Sequence, residues 1–166
     1  MNQVDQFNPP LTQLSEDEQM LKEASADFAK SSIAPLVHEM DENAKLDSDL
    51  MKEFFEMGLM GIEIPEKYNG SGGTFMMSIV AIEQISRVDG SAGVFMDVQN
   101  TLVNNAFLRY GSEELKERFL PQLATEKVGA YCLSEAGSGS DAFALKTSAK
   151  EDGDHFILNG SKLWIT

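Results

Sequence analysis

Residues 131–141 read Tyr131-Cys132-Leu133-Ser134-Glu135-Ala136-Gly137-Ser138-Gly139-Ser140-Asp141. The stretch opens as a strand and runs into a loop of small residues, and the chain changes character around it. Gly137 and Gly139 let a backbone come close to a ligand. Ser134, Ser138 and Ser140 offer hydroxyls, and successive loop N–H groups can form an anion-binding concavity. A pyrophosphate suits such a loop. The same composition also serves simply to join two strands, and composition alone leaves both readings open.

Upstream, residues 15–128 carry helical spacing. Ser15 and Glu18 have the separation of a capping box, and Met20, Leu21, Ala24, Phe28 and Ala29 follow on one face. Pro35 breaks or restarts this helix. A second helix runs from Asp47 to Met57 and is stopped by Gly58. Residues 59–65 are too short and too broken by glycine for a long helix, and 69–73, Asn-Gly-Ser-Gly-Gly, form a loop. Thr74 caps a helix that Asp89-Gly90 ends. Residues 91–110 are almost uncharged up to Arg109, which predicts a helix buried nearly all round. Ser112 caps an amphipathic helix carrying Leu115, Phe119, Leu120 and Leu123, with Glu113 and Glu114 suiting its N-terminal dipole.

Downstream the pattern shifts to strands. Residues 129–134, 146–150 and 155–158 each read as extended, with Asp152-Gly153 and Asn159-Gly160 as hairpin-turn dipeptides. Lys162 to Thr166 begins a further strand. The fold class expected is α+β: an N-terminal α-helical bundle domain over 15–128, then the start of a β-barrel-like middle domain over 129–166. Residues 1–14 are expected to be a flexible N-terminus.

The bulk numbers narrow the function. The chain has 166 residues, of which 42% are hydrophobic and 24% charged, as in a soluble globular protein. Its formal net charge is −14, which speaks against a nucleic-acid partner and against an anionic membrane surface. No apolar run approaches the roughly 20 residues a membrane span needs. Cys132 is the only cysteine, so no intrachain disulfide forms and a reducing compartment is expected. Residues 1–15 show neither a secretory signal nor the arginines of a mitochondrial transit peptide. His38 and His155 fit no metal spacing. Cys132 lies in a predicted strand with no histidine close in sequence, which argues against a nucleophile. Glu135 and Asp141 read as residues that fix the loop through hydrogen bonds.

The run Cys132-Leu133-Ser134-Glu135, then Gly139-Ser140-Asp141 and Ala144, resembles the flavin-binding signature of acyl-CoA dehydrogenases. Asn159-Gly160-Ser161-Lys162 and Trp164-Ile165-Thr166 follow at the expected distance and look like that family's next flavin-contacting strand. Gly58, Gly61, Glu63 and Pro121 to Ala124 also fit. A narrower likeness, to the short/branched-chain members, rests on Gln99-Asn100-Thr101-Leu102 and on Phe143 to Thr147. The resemblance covers nearly all of this chain and under half of a typical family member.

What the resemblance implies is specific. FAD is the cofactor. Tyr131, Leu133 and Ser134 line the flavin ring, and Ser134 can hydrogen-bond its edge. Gly139 and Ser140 lie at the pyrophosphate, and Ser140 also meets the CoA substrate. Trp164 and Ile165 sit on the flavin-contacting strand, with the Trp164 indole packed on the ring, and the Thr166 hydroxyl lies near its reactive edge. The helix at 91–110 supplies part of the acyl-chain pocket. The reaction takes a proton from the α carbon of an acyl-CoA thioester and passes the β hydrogen to the flavin, leaving a trans-2-enoyl-CoA. Electron-transfer flavoprotein then accepts the electrons. A homotetramer in the mitochondrial matrix is the expected full-length state. In relatives the base is a glutamate from a later helical region. No glutamate in 1–166 matches it, so no catalytic residue is assigned, and the chain is expected to be an inactive N-terminal fragment. Two other readings stand beside this one: an acyl-CoA oxidase-like flavoprotein that hands electrons to oxygen, and an acidic helical interaction module without cofactor.

Overall fold

A computed structural model describes residue 10 and residues 13–166. Most of the segment expected to be flexible, 1–14, falls outside the described residues. Helix α1 spans Glu16–Phe28 and starts at a complete capping box. Ser15 Oγ accepts from Glu18 N at 3.2 Å, and Glu18 Oε2 accepts from Ser15 N at 2.8 Å. It widens into a π-helical turn over Ala29–Ile33, and the chain turns at 34–36 around Pro35 before α2, Val37–Asn43. Helix α3, Ser48–Glu56, is capped by Asp47, whose Oδ1 accepts from Asp49 N and Leu50 N at 2.8 and 2.9 Å. Gly58, at φ 69°, lets the chain leave α3 through the left-handed region.

Helix α4, Phe75–Ser86, is capped by Thr74, and α5, Gly90–Asp97, by Asp89. Helix α4 therefore stops at Ser86, just ahead of Asp89-Gly90, and that pair starts the next helix, Asp89 as its cap and Gly90 as its first residue. A π-helical segment, Val98–Asn104, joins α5 to α6, Asn105–Tyr110. Helix α7, Glu113–Thr125, follows the Ser112 cap.

Helix α1 packs on α4 and α4 on α5, and one apolar cluster fills the space between. At its centre Phe54, fully buried, meets Phe28 and Phe95 edge-on, with ring centroids 5.2 and 5.5 Å apart. A second cluster joins Ile64, Tyr68 and Val103 to Leu120, Leu123 and Ala124 of α7.

Leu59, Met60, Ile62 and Ile64 run through this core with neither helix nor strand. Buried backbone polar groups need partners. Gly61, Ile62 and Ile64 carbonyls accept from the N–H groups of Ser71, Gly73 and Gly72 at 3.0, 2.7 and 2.9 Å. Three more are met by side-chain amides of the π-helical segment. Asn100 Nδ2 donates to Leu59 O at 2.7 Å, Asn100 Oδ1 accepts from Ile62 N at 3.0 Å, and Asn104 Nδ2 donates to Met60 O at 2.8 Å. This corrects the expectation of a helix buried nearly all round at 91–110. Gln99, Asn100 and Asn104 take core positions, while Val94 and Leu102 face outward, because only amides can satisfy the irregular backbone opposite.

Beyond α7, β1 (Ser148–Asp152) and β2 (His155–Asn159) form an antiparallel hairpin turning at Gly153, φ 68°. The helical body with its short two-stranded sheet is the α+β class expected. Two predicted strands do not form. Residues 129–134 and 162–166 are extended or bent without a ladder, and Asn159-Gly160 turns no second hairpin. A strand exists through its pairing, and among the described residues these segments share a single backbone bond, Leu163 N to Ser134 O at 2.9 Å.

Candidate functional site

Glu135 draws the two singled-out segments together. Its Oε2 accepts from Lys146 N at 2.7 Å, and its Oε1 from Thr147 N at 3.0 Å and Lys162 Nζ at 2.8 Å. Lys162 Nζ also donates to Leu133 O at 2.9 Å. The Glu135 and Ser138 backbones exchange two hydrogen bonds of 3.0 Å, closing the loop at its neck. The Glu135 side chain is only 7% exposed within these contacts. The Lys162 ammonium above all, then hydrogen bonds from Thr147 and Lys146, lower its pKa from 4.5 to about 2.

That shift carries a sign. A carboxylate depressed in the folded state stabilises it above the unfolded value and loses the contribution as pH falls through the folded one. The clamp is therefore intact above pH 4.5 and opens only as pH approaches about 2. The Lys146 and Thr147 amide resonances should titrate with an acid midpoint near 2, and a midpoint near 4.5 would show an unclamped carboxylate.

The loop inside the clamp has a definite shape. Ser138 is buried, and its Oγ donates to Asp141 O at 2.7 Å, so this hydroxyl builds the loop and does not face outward. Asp141 Oδ1 accepts from Phe143 N at 3.3 Å. Glu135 and Asp141 thus fix the loop through hydrogen bonds, as their chemistry suggested. Gly139 and Ser140 remain exposed, and a side chain built on Gly137 or Gly139 would meet only open space. The N–H groups of Gly137, Gly139 and Ser140 make no hydrogen bond among the described residues.

Apolar side chains stand exposed on the two segments that the clamp joins. Tyr131, Leu133 and Ile165 are exposed, and Trp164, at φ 60°, stands 92% exposed. Free N–H groups and hydroxyls suit a pyrophosphate, and an exposed strip of rings and aliphatic side chains suits a flat ring system, so these residues fit FAD. Thr166 lies elsewhere. It borders a cavity of about 510 Å³ walled by Met40, Leu46, Met51 and Phe95, between the α2–α3 connection and α5. Another cavity, of about 450 Å³ between α2 and α3, reaches none of the motif residues.

The sequence reading missed Lys162 as the clamp's cation and the α2–α3 connection as a cavity wall. Lys162 stands in a quoted motif, but nothing local shows that it reaches Glu135. Among the described residues no cluster of His, Cys, Asp and Glu could hold a metal ion, and no helix is long and apolar enough to cross a membrane.

Residues 15–127 match the family model for the acyl-CoA dehydrogenase N-terminal domain. A protein of Dictyostelium discoideum named "Probable short/branched chain specific acyl-CoA dehydrogenase" is 53% identical over 96% of this chain and 39% of its own length. The mitochondrial short/branched chain specific acyl-CoA dehydrogenase of Rattus norvegicus is 45% identical over 95% of this chain and 36% of its own. The chain thus spans about two-fifths of the length of these relatives. A crystal structure of a glutaryl-CoA dehydrogenase from Mycobacterium smegmatis in complex with FADH2 superposes with a TM-score of 0.86, at 33% identity over 92% of this chain and 39% of that one.

Proposed function

The chain belongs to the acyl-CoA dehydrogenase family, and from that premise we propose that residues 129–166 supply one wall of an FAD site and residues 15–128 part of the acyl-chain pocket of a short/branched-chain acyl-CoA dehydrogenase. The observation that carries this reading is the Glu135–Lys162 clamp. It ties the segment of Leu133 and the neck of the open Gly139-Ser140 loop to Lys162, two residues before the exposed Trp164, which supports a site for a cofactor with a pyrophosphate and a flat ring.

When bound, FAD would supply the hydride acceptor for the β hydrogen of the acyl chain. The chain's own residues bind and orient. Gly139 and Ser140 present N–H groups to the pyrophosphate, and Ser140 also meets the CoA. Ser134 hydrogen-bonds the ring edge, Tyr131 and Leu133 line the ring, and Trp164 and Ile165 pack against it. Met40, Leu46, Met51 and Phe95 offer the acyl chain an apolar wall, with Thr166 at that cavity's rim. None of the glutamates is assigned as the base that removes the α proton. Substrates are short straight or 2-methyl-branched acyl-CoA thioesters, electron-transfer flavoprotein takes the electrons, and the working form is a homotetramer of the mitochondrial matrix.

The 166 residues alone are expected to bind FAD weakly and to reduce no acceptor dye with acyl-CoA. The strip covers one side of a ring only, while the cost of immobilising a large cofactor is undiminished. Flavin fluorescence on titration with FAD, and dye reduction by 2-methylbutyryl-CoA, measure both. Joined to the C-terminal remainder of the rat relative, the chain should carry flavin absorbance and oxidise 2-methylbutyryl-CoA faster than palmitoyl-CoA. A flavin-free chimaera overturns the cofactor reading, and a preference for palmitoyl-CoA overturns the substrate class.

A further inference from the structure

Gln99 is fully buried, and its carboxamide joins three pieces of backbone. Nε2 donates to Leu123 O at 2.9 Å and to Lys127 O at 3.0 Å, and Oε1 accepts from Gly129 N at 2.8 Å. Both donors of the amide and one acceptor site are used. Leu123 lies in the last turn of α7, where carbonyls have no helical donor to meet them. Lys127 and Gly129 belong to the segment that leaves α7 and reaches Tyr131 two residues later. One side chain therefore caps a helix and ties down the root of the strip assigned above to the flavin.

Packing makes the same connection. A Cβ at Gly129 would collide with Cγ1 of Val103, so this backbone lies directly on the π-helical segment. Such π-helical insertions are frequent at functional sites. Along the same run, four residues before Gln99, Phe95 walls the cavity that Thr166 borders. The exit of the strip and the wall of the cavity are thus held on one continuous helical rod.

We propose that Gln99 is a positioning residue: its carboxamide sets the register of the 131–135 strip against the helix whose Phe95 lines the acyl cavity. The purpose of that register rests on the flavin reading, and the tether itself does not. A ring on Tyr131, Leu133 and Ser134 and an acyl chain against Phe95 take their separation in part from this amide. A misplacement of about 1 Å can cost on the order of a hundredfold in rate.

The test uses the 166-residue chain. Gln99→Leu keeps most of the volume and removes all three hydrogen bonds, and Gln99→Met is the alternate where leucine disturbs folding. The Gly129 amide should exchange about tenfold faster or more by NMR, as one lost hydrogen bond implies. The Ile62 amide, held in the same manner by Asn100, should keep its wild-type rate. Trp164 is the only tryptophan and sits one residue beyond the Leu163–Ser134 bond, so its fluorescence anisotropy should fall as the strip loosens. Unchanged Gly129 exchange, equal acceleration at Gly129 and Ile62, or collapse of both variants would each overturn the proposal. The last two outcomes would make Gln99 a support of the whole core. If instead the chimaera binds no FAD while Gly129 loosens alone, the flavin reading fails and the tether stands.

Discussion

Asn100→Leu is expected to destabilise the chain by about 2–6 kcal/mol, since each buried polar group left without a partner costs about 1–3 kcal/mol. The substitution keeps the volume and abolishes the polarity. It leaves Leu59 O and Ile62 N, 2.7 and 3.0 Å from the amide in the native fold, facing a methyl group. Neither has a backbone partner among the described residues. Urea unfolding followed by far-UV circular dichroism measures the loss, and Asn100→Asp separates the two halves of the role. Aspartate retains the acceptor for Ile62 N and loses the donor to Leu59 O, so it too should destabilise. A loss below about 1 kcal/mol for leucine would mean that residues 59–62 relax to find other partners or water.

Phe54→Ala is expected to cost about 3–5 kcal/mol, the range for a large aromatic removed from a packed core. Phe54 is fully buried between Phe28 and Phe95, so truncation forfeits two edge-on contacts and leaves a hole at the junction of α1, α3 and α5. The hole would open beside Phe95, which lines the cavity bordered by Thr166. The same urea titration reads the loss. Phe54→Leu, which refills part of the space, should recover roughly half of it. Equal losses for alanine and leucine would show that ring contacts dominate over volume. A loss under about 1.5 kcal/mol for alanine would show that the helices close over the gap.

Much of the helical body could be read residue by residue. Ser15, Thr74 and Ser112 each cap the helix they were placed before, Asp47 caps the helix it was read as beginning, and Gly58 ends α3 at positive φ. The hairpin at Gly153 also forms where its turn residues stand. The two missing strands at 129–134 and 162–166 show where the same method stops. A ladder needs a neighbour, and among the described residues these two segments share one backbone bond and one lysine contact, while Trp164 at φ 60° bends the second of them.

The sequence by itself determined the helix starts and stops, the hairpin and the family likeness, because a cap acts over three residues, a turn over two, and a motif is contiguous. Only the tertiary structure decided what those elements do to one another. Asn100 reaches Ile62 across 38 residues, Asn104 reaches Met60 across 44, Gln99 holds Gly129 across 30, and Lys162 meets Glu135 across 27. An apolar run at 91–110 reads as a buried helix because apolar side chains leave water at little cost. Which of its residues turn inward was settled by the irregular backbone at 59–62, whose unpaired carbonyls and N–H groups could be satisfied only by amides from across the core. The carboxylate of Glu135 became a clamp in the same way, once folding brought one ammonium and two backbone N–H groups to it.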